Sequence, residues 1–355
     1  MIPELYDFSN NSDYCRLFET VFRKPMGKTE SERHFQWEYL ENPAGKAIVY
    51  IVKSPPDQIA GAYAALPLRM KMFSKTVKGC LSFDSMTHPQ HKGKGLFTRL
   101  GKAHYEYLAE NNYDLIYGFP NANSIKIFVN NLQWLDFYSF PLLVKIQDFR
   151  SLFKKYLGLK HPSRVLGFLL NKTSDLIFSP KHMAGVNVRE ISNFDEKFNY
   201  FWDDVKQLFP ICVERDMEYL NWRYRRPEEK YRILRLEHEA CVMGYAVLKE
   251  EDRFGLRTGY IMDLISVPDI KFVRLLISEV INAFSRARVD LISILMSKST
   301  PYYSSLRRYG FMPIPSRFHP QEIHFGARIN TIQDRAEDIR NGRNWFISWG
   351  DTDLL

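Results

Sequence analysis

Residues 88–97 read HPQHKGKGLF. Two glycines and two lysines follow a run with strand character, VKGCLSFDSMT (77–87), and precede LFTRLGKAHYEYLAENN (96–112). In the latter, Leu96, Leu100, Ala103, Tyr107 and Leu108 fall on roughly one helical stripe. A glycine loop between strand and helix lets successive backbone N–H groups converge on an anion, and the helix adds the positive end of its dipole. The spacing fits neither GxxxxGK[ST] nor GxGxxG with an acid about 20 residues on. What stands here is Gln90, Gly93 and Gly95 in the pattern QxxGxG, with Lys92 and Lys94 placed to meet a pyrophosphate.

Working outward, YDLIYGFP (113–120) reads as a strand, NANSIKIFVNNLQW (121–134) as an amphipathic helix and LDFYSFPLLVK (135–145) as a last strand. The strands flanking the loop's helix are then parallel, joined by a right-handed crossover. Upstream, AIVYIVK and QIAGAYAAL flank the turn sequence SPPD and predict an antiparallel hairpin. TESERHFQWEYLENP (29–43) predicts a helix opened by the capping pair Thr29 and Glu32 and closed before Pro43.

The second half repeats this plan. WEYLENP (37–43) has a counterpart in WRYRRP (222–227), GAYAAL (61–66) in GYAVL (244–248) and LQW (132–134) in YGF (309–311). Near-constant offsets of this kind are what a duplicated domain leaves behind. With 355 residues, 45% of them hydrophobic, the chain has material for two α/β domains. They are expected at 1–150 and 183–355, joined by a basic linker or helical insertion at 151–182. That segment holds six basic residues against one acid, a large share of the net charge of +8. Charge so confined argues against a nucleic-acid face spread over a domain, whereas the segment suits contact with an anionic membrane surface or packing between the domains. Four scattered cysteines and no apolar leader or spanning run predict a reduced, soluble, cytoplasmic protein.

The loop, with THP before it and a helix, a strand and NxxS after it, resembles the acyl-CoA loop of the GNAT acetyltransferase superfamily. The resemblance covers about residues 30–146, and the whole chain is similar to tandem-GNAT proteins, several of which act in surface-polysaccharide pathways. It implies two tandem GNAT-like domains, each a mixed, mostly antiparallel sheet flanked by helices, with one parallel strand pair at the CoA site. It also implies acetyl-CoA as co-substrate and a primary amine as acceptor, with an amino sugar on a nucleotide or lipid carrier as the guess for that amine. Backbone amides of Lys92 to Leu96 are then expected around the CoA pyrophosphate, with Gln90, His91 and Lys94 in the same loop. Met86 and Thr87 pair with the pantetheine arm, and Asn121 and Ser124 lie along it.

The family's chemistry needs a base for the acceptor ammonium, and Asp84, on the strand entering the loop, is the best-placed acid, with Ser82 and Ser85 nearby. Asp263 of IMDLISVP stands at the corresponding place in the second half, so a structural role for both acids is the competing reading. The usual tyrosine acid is missing: Phe128 and Val129 occupy its place, with Tyr117 and Tyr138 as substitutes if geometry allows. VPDIKFVRLL (267–276) has no glycine and places an aspartate where a phosphate would sit, so one donor site is expected, in the first half. His88, His91 and His104 form no metal-ligand spacing and are read as chance exposed residues, while Asp351 and Asp353 of the tail are either buried or within reach of an acceptor amine. The rival readings are a FemAB-type aminoacyl transferase, which has no pyrophosphate to hold, and a non-catalytic binding protein.

Overall fold

A computed structural model describes residues 1–9, 11–23, 29–55, 58–148, 151, 185–253, 255–315 and 323–354. Nearly all of the basic segment 151–182, with its expected linker and membrane-contact roles, lies outside the described residues. The first sheet runs in the order β1 (Glu4–Leu5), β2 (Ile48–Ser54), β3 (Gln58–Met72), β4 (Lys75–Thr87), β5 (Leu115–Gly118), β15 (His324–Ile329), β6 (Leu135–Ser139), with β9 (Ile211–Val213) added to β3. The second runs β14 (Met312–Pro313), β7 (Leu142–Ile146), β13 (Leu291–Leu295), β12 (Leu256–Ser266), β11 (Cys241–Arg253), β10 (Tyr231–His238), β8 (Val186–Ile191). Each is mixed and mostly antiparallel, and among the named strands each has one parallel pair, β4 with β5 and β12 with β13.

The two sheets exchange a strand. LDFYSFPLLVK is not one strand: Phe140 and Pro141 break it, because a proline without an N–H ends the ladder, and β7 continues in the second sheet against β13. In return β15, from the second half, inserts between β5 and β6. Each half therefore completes the other's sheet at the equivalent edge, beside the parallel pair.

Helices α1 (Ser12–Phe22), α2 (Thr29–Phe35), α3 (Leu96–Glu110) and α4 (Ile125–Leu132) belong to the first half, and α5 (Lys197–Val205), α6 (Met217–Arg223), α7 (Ile270–Arg286), α8 (Tyr303–Arg308) and α9 (Ala336–Arg340) to the second. After α2 a π-helical turn, Gln36–Leu40, carries Trp37 and Glu38. On α3 the buried face is Leu96, Leu100, Gly101, His104, Tyr105 and Leu108, rotated from the expected stripe so that His104 and Tyr105 replace Ala103 and Tyr107. These residues, with Val52, Tyr63, Cys80, Phe128 and Trp134, fill the space between the first sheet and α3 and α4. The other, larger cluster spans both halves and takes in Trp345, Phe346, Ile347 and Trp349 of the tail.

The duplicated segments meet at a local two-fold. Trp37 and Trp222, matched by the sequence repeat, stack with ring centroids 5.1 Å apart. Each indole N–H donates to the other residue's carbonyl, Trp37 Nε1 to Trp222 O at 2.8 Å and Trp222 Nε1 to Trp37 O at 2.9 Å. The same patch on the two halves faces itself, as in an isologous dimer interface.

Candidate active site

The glycine loop begins as a short turn. Pro89–His91 form one 3₁₀ turn capped by His88, and the Lys92 amide still reaches Pro89 O at 3.4 Å. From there the backbone turns left-handed, with φ 76° at Gly93 and 69° at Gly95, conformations open to glycine at little cost. Gly95 is the N-cap of α3 and offers no side chain to its own helix. Among the described residues, the amides of 93–98 find no protein acceptor. A Cβ placed on either glycine would meet nothing within 4 Å. A helix N-terminus with free amides, an empty approach and the exposed Lys92 and Lys94 has the chemistry of a diphosphate cradle. The open amides start at Gly93 rather than at Lys92.

Gln90, His91 and Lys94 lie exposed or half-buried on the loop, with Lys94 Nζ 3.3 Å from His91 Nδ1, and Leu96 points into the core. His88 and His104 are not exposed. His88 caps the turn, and His104 is fully buried, its Nε2 donating to Ile48 O at 3.0 Å, with burial pushing its imidazole down to about 4.

The parallel pairing of β4 with β5 ends at Ser82 opposite Gly118, while β4 runs on to Thr87. Phe83 to Thr87 thus keep their β3 partners on one side and have a free edge on the other. Met86 is buried and pairs with Ala62, and Thr87 with Gly61. Between Ala62 and Ala64 the register shifts, so that Asp84 and Ser85 oppose Tyr63 alone. Asp84 takes φ 39° at this bulge, a sparsely populated angle that turns its carboxyl off the sheet.

A cavity of about 390 Å³ opens at the splay. Its α3–α4 end includes Phe97, Asn121, Ser124, Phe128 and Trp134, its middle Ser82, Asp84 and Ser85, and its far end Trp37, Glu38, Trp222, Arg223, Arg226 and Asp353. Asn121 Oδ1 accepts from the amides of Asn123 and Ser124, both at 3.0 Å, which holds the start of α4 at the cavity wall. The tail of the second half closes the far end. Arg223 Nε donates to Gly350 O at 2.7 Å and Nη2 to Thr352 O at 3.1 Å, while Tyr117 OH donates to Asp351 O at 3.1 Å. Tyr117 is fully buried and committed to that carbonyl, so it does not supply the missing acid. The side chain of Tyr138 lies outside the described residues, and Phe128 brings only its ring.

Three carboxyls line the middle and far end of the cavity. Asp84 Oδ2 accepts from Tyr39 OH at 2.7 Å, and Tyr39 OH lies 3.0 Å from Tyr14 OH. Burial, then the charge of Glu38, push the Asp84 carboxyl up to about 8, with Asp353 adding to the rise and Tyr39 opposing it. Asp353 faces the opening, yet crowding there and the Glu38 charge push it up to about 7. Burial would raise Glu38 as well, but its bond to His34 Nε2 at 3.1 Å, with Arg226 and Arg223 nearby, holds it below the ordinary range. Glu38 is held low, and the two aspartates beside it are held above the ordinary range.

The second half is closed at both points. Asp269 caps α7 with its own side chain, accepting from the Lys271 amide at 2.8 Å, which occupies the position open at Gly95. Asp263, 1% exposed, accepts from Arg215 Nε at 2.9 Å and Tyr245 OH at 2.9 Å, and Arg215 Nη2 also reaches Asp351 at 2.6 Å. Asp263 and Asp351 are structural. Sequence reading missed Glu38, His34, Trp37 and Arg223, which lie on the duplicated WEYLENP and WRYRRP segments or just before them. A polar residue at the same register in both repeats was the available signal.

Comparison with known proteins bears on this geometry. Residues 8–128 match the acetyltransferase (GNAT) domain family. The fold resembles a GCN5-related N-acetyltransferase from Anabaena variabilis, at 13% identity and TM-score 0.67 over 93% of this chain and 73% of that one. It also resembles a conserved protein of unknown function from Enterococcus faecalis described as a probable N-acyltransferase, at 12% identity and TM-score 0.65 over 94% and 74%. Saccharomyces cerevisiae N-myristoyltransferase with bound myristoyl-CoA follows at 12% identity and TM-score 0.59 over 93% and 79%. No curated protein matches the sequence. The family match lies in the first half, and the fold is GNAT-like through both halves. Among the described residues no helix is long and apolar enough to cross a membrane.

Proposed function

We propose that the protein is an acyl-CoA-dependent N-acetyltransferase that moves an acetyl group from acetyl-CoA to a primary amine. The observation that carries this reading is the free edge of β4 beyond Ser82, which joins an open diphosphate cradle on one side to a cluster of carboxyls on the other. Residues 86 and 87 run along the pantetheine arm as an added strand, with Asn121 and Ser124 across from them. Gly93, Gly95 and Leu96 present amides to the diphosphate, and Gln90, His91, Lys92 and Lys94 surround it. The acceptor enters as an ammonium attracted by Glu38, Asp84 takes its proton, and the neutral amine attacks the thioester carbon. Backbone N–H groups on the unpaired edge meet the resulting oxyanion.

The cavity of about 390 Å³ is near the small end of ligand pockets and must hold donor and acceptor together, which favours a short acyl chain. An amino sugar of a surface-polysaccharide precursor fits the far end, its ammonium among the carboxyls and its ring against Trp37 and Trp222. In this reading the first half, 1–150, holds the donor site, and 183–355 is a degenerate copy that walls the acceptor end. Isothermal titration with CoA and thiol release from acetyl-CoA with a panel of primary amines test it. Micromolar binding and amine-dependent release are expected. No CoA binding favours the FemAB-type alternative, and binding without release favours a non-catalytic protein.

A further inference from the structure

Between the first sheet and helix α3, a layer filled by apolar side chains and His104 holds a chain of buried hydroxyls. Ser82 Oγ lies 3.0 Å from Tyr63 OH, Tyr63 OH 2.8 Å from Tyr105 OH, and Trp134 Nε1 donates to Tyr105 OH at 2.8 Å. Ser82, Tyr63 and Tyr105 are 6%, 0% and 3% exposed. Hydroxyls removed from water are unfavourable unless paired, and a phenylalanine would fill either tyrosine's place. The chain has two ends. Ser82 and Trp134 line the cavity of the candidate site. Tyr105 lines a second cavity, of about 290 Å³, with Lys102, Glu106, Asn131, Gln133 and Arg328. The Arg328 guanidinium stands over the Tyr105 ring, 4.5 Å from its centroid.

We propose that Ser82, Tyr63 and Tyr105 form a proton relay that protonates the departing CoA thiolate, in place of the tyrosine whose position Phe128 occupies. The inference rests on the acyltransferase reading above. Ser82 is the last β4 residue paired with β5, so its hydroxyl sits where the strands part and on the α3–α4 side of the sheet, with Phe128 and Trp134. In the resting structure Ser82 donates to Tyr63. Hydroxyl hydrogens rotate freely, and when the tetrahedral intermediate collapses the polarity reverses. The C–S bond breaks and its electron pair stays on sulfur. An S–H bond forms as the Ser82 O–H bond breaks, Tyr63 gives its proton to Ser82, Tyr105 gives its own to Tyr63, and Tyr105 is reprotonated from solvent in the second cavity. The acceptor ammonium loses two protons to solvent by way of Asp84 and its neighbours. One is balanced by the proton that enters at Tyr105, and the other is the net proton of amide formation.

Two measurements test the relay. The ultraviolet absorbance of bound CoA follows ionisation of its thiol without any acceptor present. A hydroxyl that donates to the thiolate favours it, so the bound thiol of the wild type is expected to ionise about 1 pH unit below that of Ser82→Ala. Single-turnover transfer from acetyl-CoA, with glucosamine, lysine and spermine as acceptors, reads the rest of the chain. Tyr63→Phe and Tyr105→Phe are each expected to slow transfer about 100-fold, the scale of a lost general acid. CoA affinity should not change, and the multi-proton solvent isotope effect should fall to that of a single proton. A wild type that binds no CoA, or releases no thiol with these amines, sinks the acyltransferase reading and the relay with it. A wild type that turns over, matched by Tyr105→Phe in rate and isotope effect or by Ser82→Ala in thiol ionisation, overturns the relay alone. Tyr105→Phe, at the solvent end, remains informative if Tyr63→Phe does not fold.

Discussion

Asp84 and Asp263 occupy matching places in two copies of one plan, and their surroundings could hardly differ more. Asp263 is buried and locked by Arg215 and Tyr245, whereas Asp84 has Tyr39 as its hydrogen-bond partner and a cavity on its other side. The helix starts differ in the same sense, since Asp269 fills the nest that Gly95 leaves open. The fold needs neither an open nest nor a carboxyl facing a cavity: the second half keeps its sheet, its crossover helix and its core without them. What the first half leaves unsatisfied is therefore what a ligand must satisfy.

Four experiments break or sharpen this contrast. The largest effect is expected for Arg215→Met, which strands Asp263 and Asp351 without their cation. Denaturant unfolding should show a loss of about 3–5 kcal/mol. A loss below about 1 kcal/mol would mean that the second half is no more committed to its acid than the first. Gly93→Glu puts a like charge in the cradle and forces a side chain into φ 76°. CoA affinity by calorimetry should fall at least about 100-fold, near 3 kcal/mol, and unchanged affinity would place the donor elsewhere.

Asp84→Asn sharpens the comparison through pH. A carboxyl raised to about 8 in the folded chain binds a proton that the unfolded chain has already lost, so its burial makes the wild type less stable as pH climbs from about 4 to 8. The melting temperature of Asp84→Asn relative to wild type should rise across that window. In the wild type, transfer should speed up with pH and level off above about 8, as the carboxyl ionises. A flat difference in melting temperature would show that Asp84 ionises normally. The smallest effect belongs to Asp269→Ala, a lost helix cap expected to reduce stability by about 1 kcal/mol with no change in CoA affinity.

Much of the first half was legible because its signals are local. QxxGxG sets its own backbone, and the strand, helix and strand around it have clear periods. The likeness of the two halves was read from short matched segments, and the Trp37–Trp222 pair lies on one of them. The strand exchange was not, because LDFYSFPLLVK carries one continuous apolar pattern, and only Pro141 hints that its two ends serve different sheets. The buried face of α3 was misread at His104 and Tyr105, polar by type yet buried where Ile48 O, Tyr63 and Trp134 supply partners. The far end of the cavity was least visible. Glu38, Arg223 and Asp353 are far apart along the chain, and only packing of the two halves gathers them.

The exchange of β7 and β15 has a consequence for how the molecule is made. On the ribosome, the first half emerges with a gap beside β5 that stays empty until residues 324–329 have been synthesised, and the far wall of its cavity waits for Thr352 and Asp353. Neither half can mature ahead of the other, so a nascent chain stalled before its second sheet would carry the glycine loop yet lack a finished chamber for chemistry.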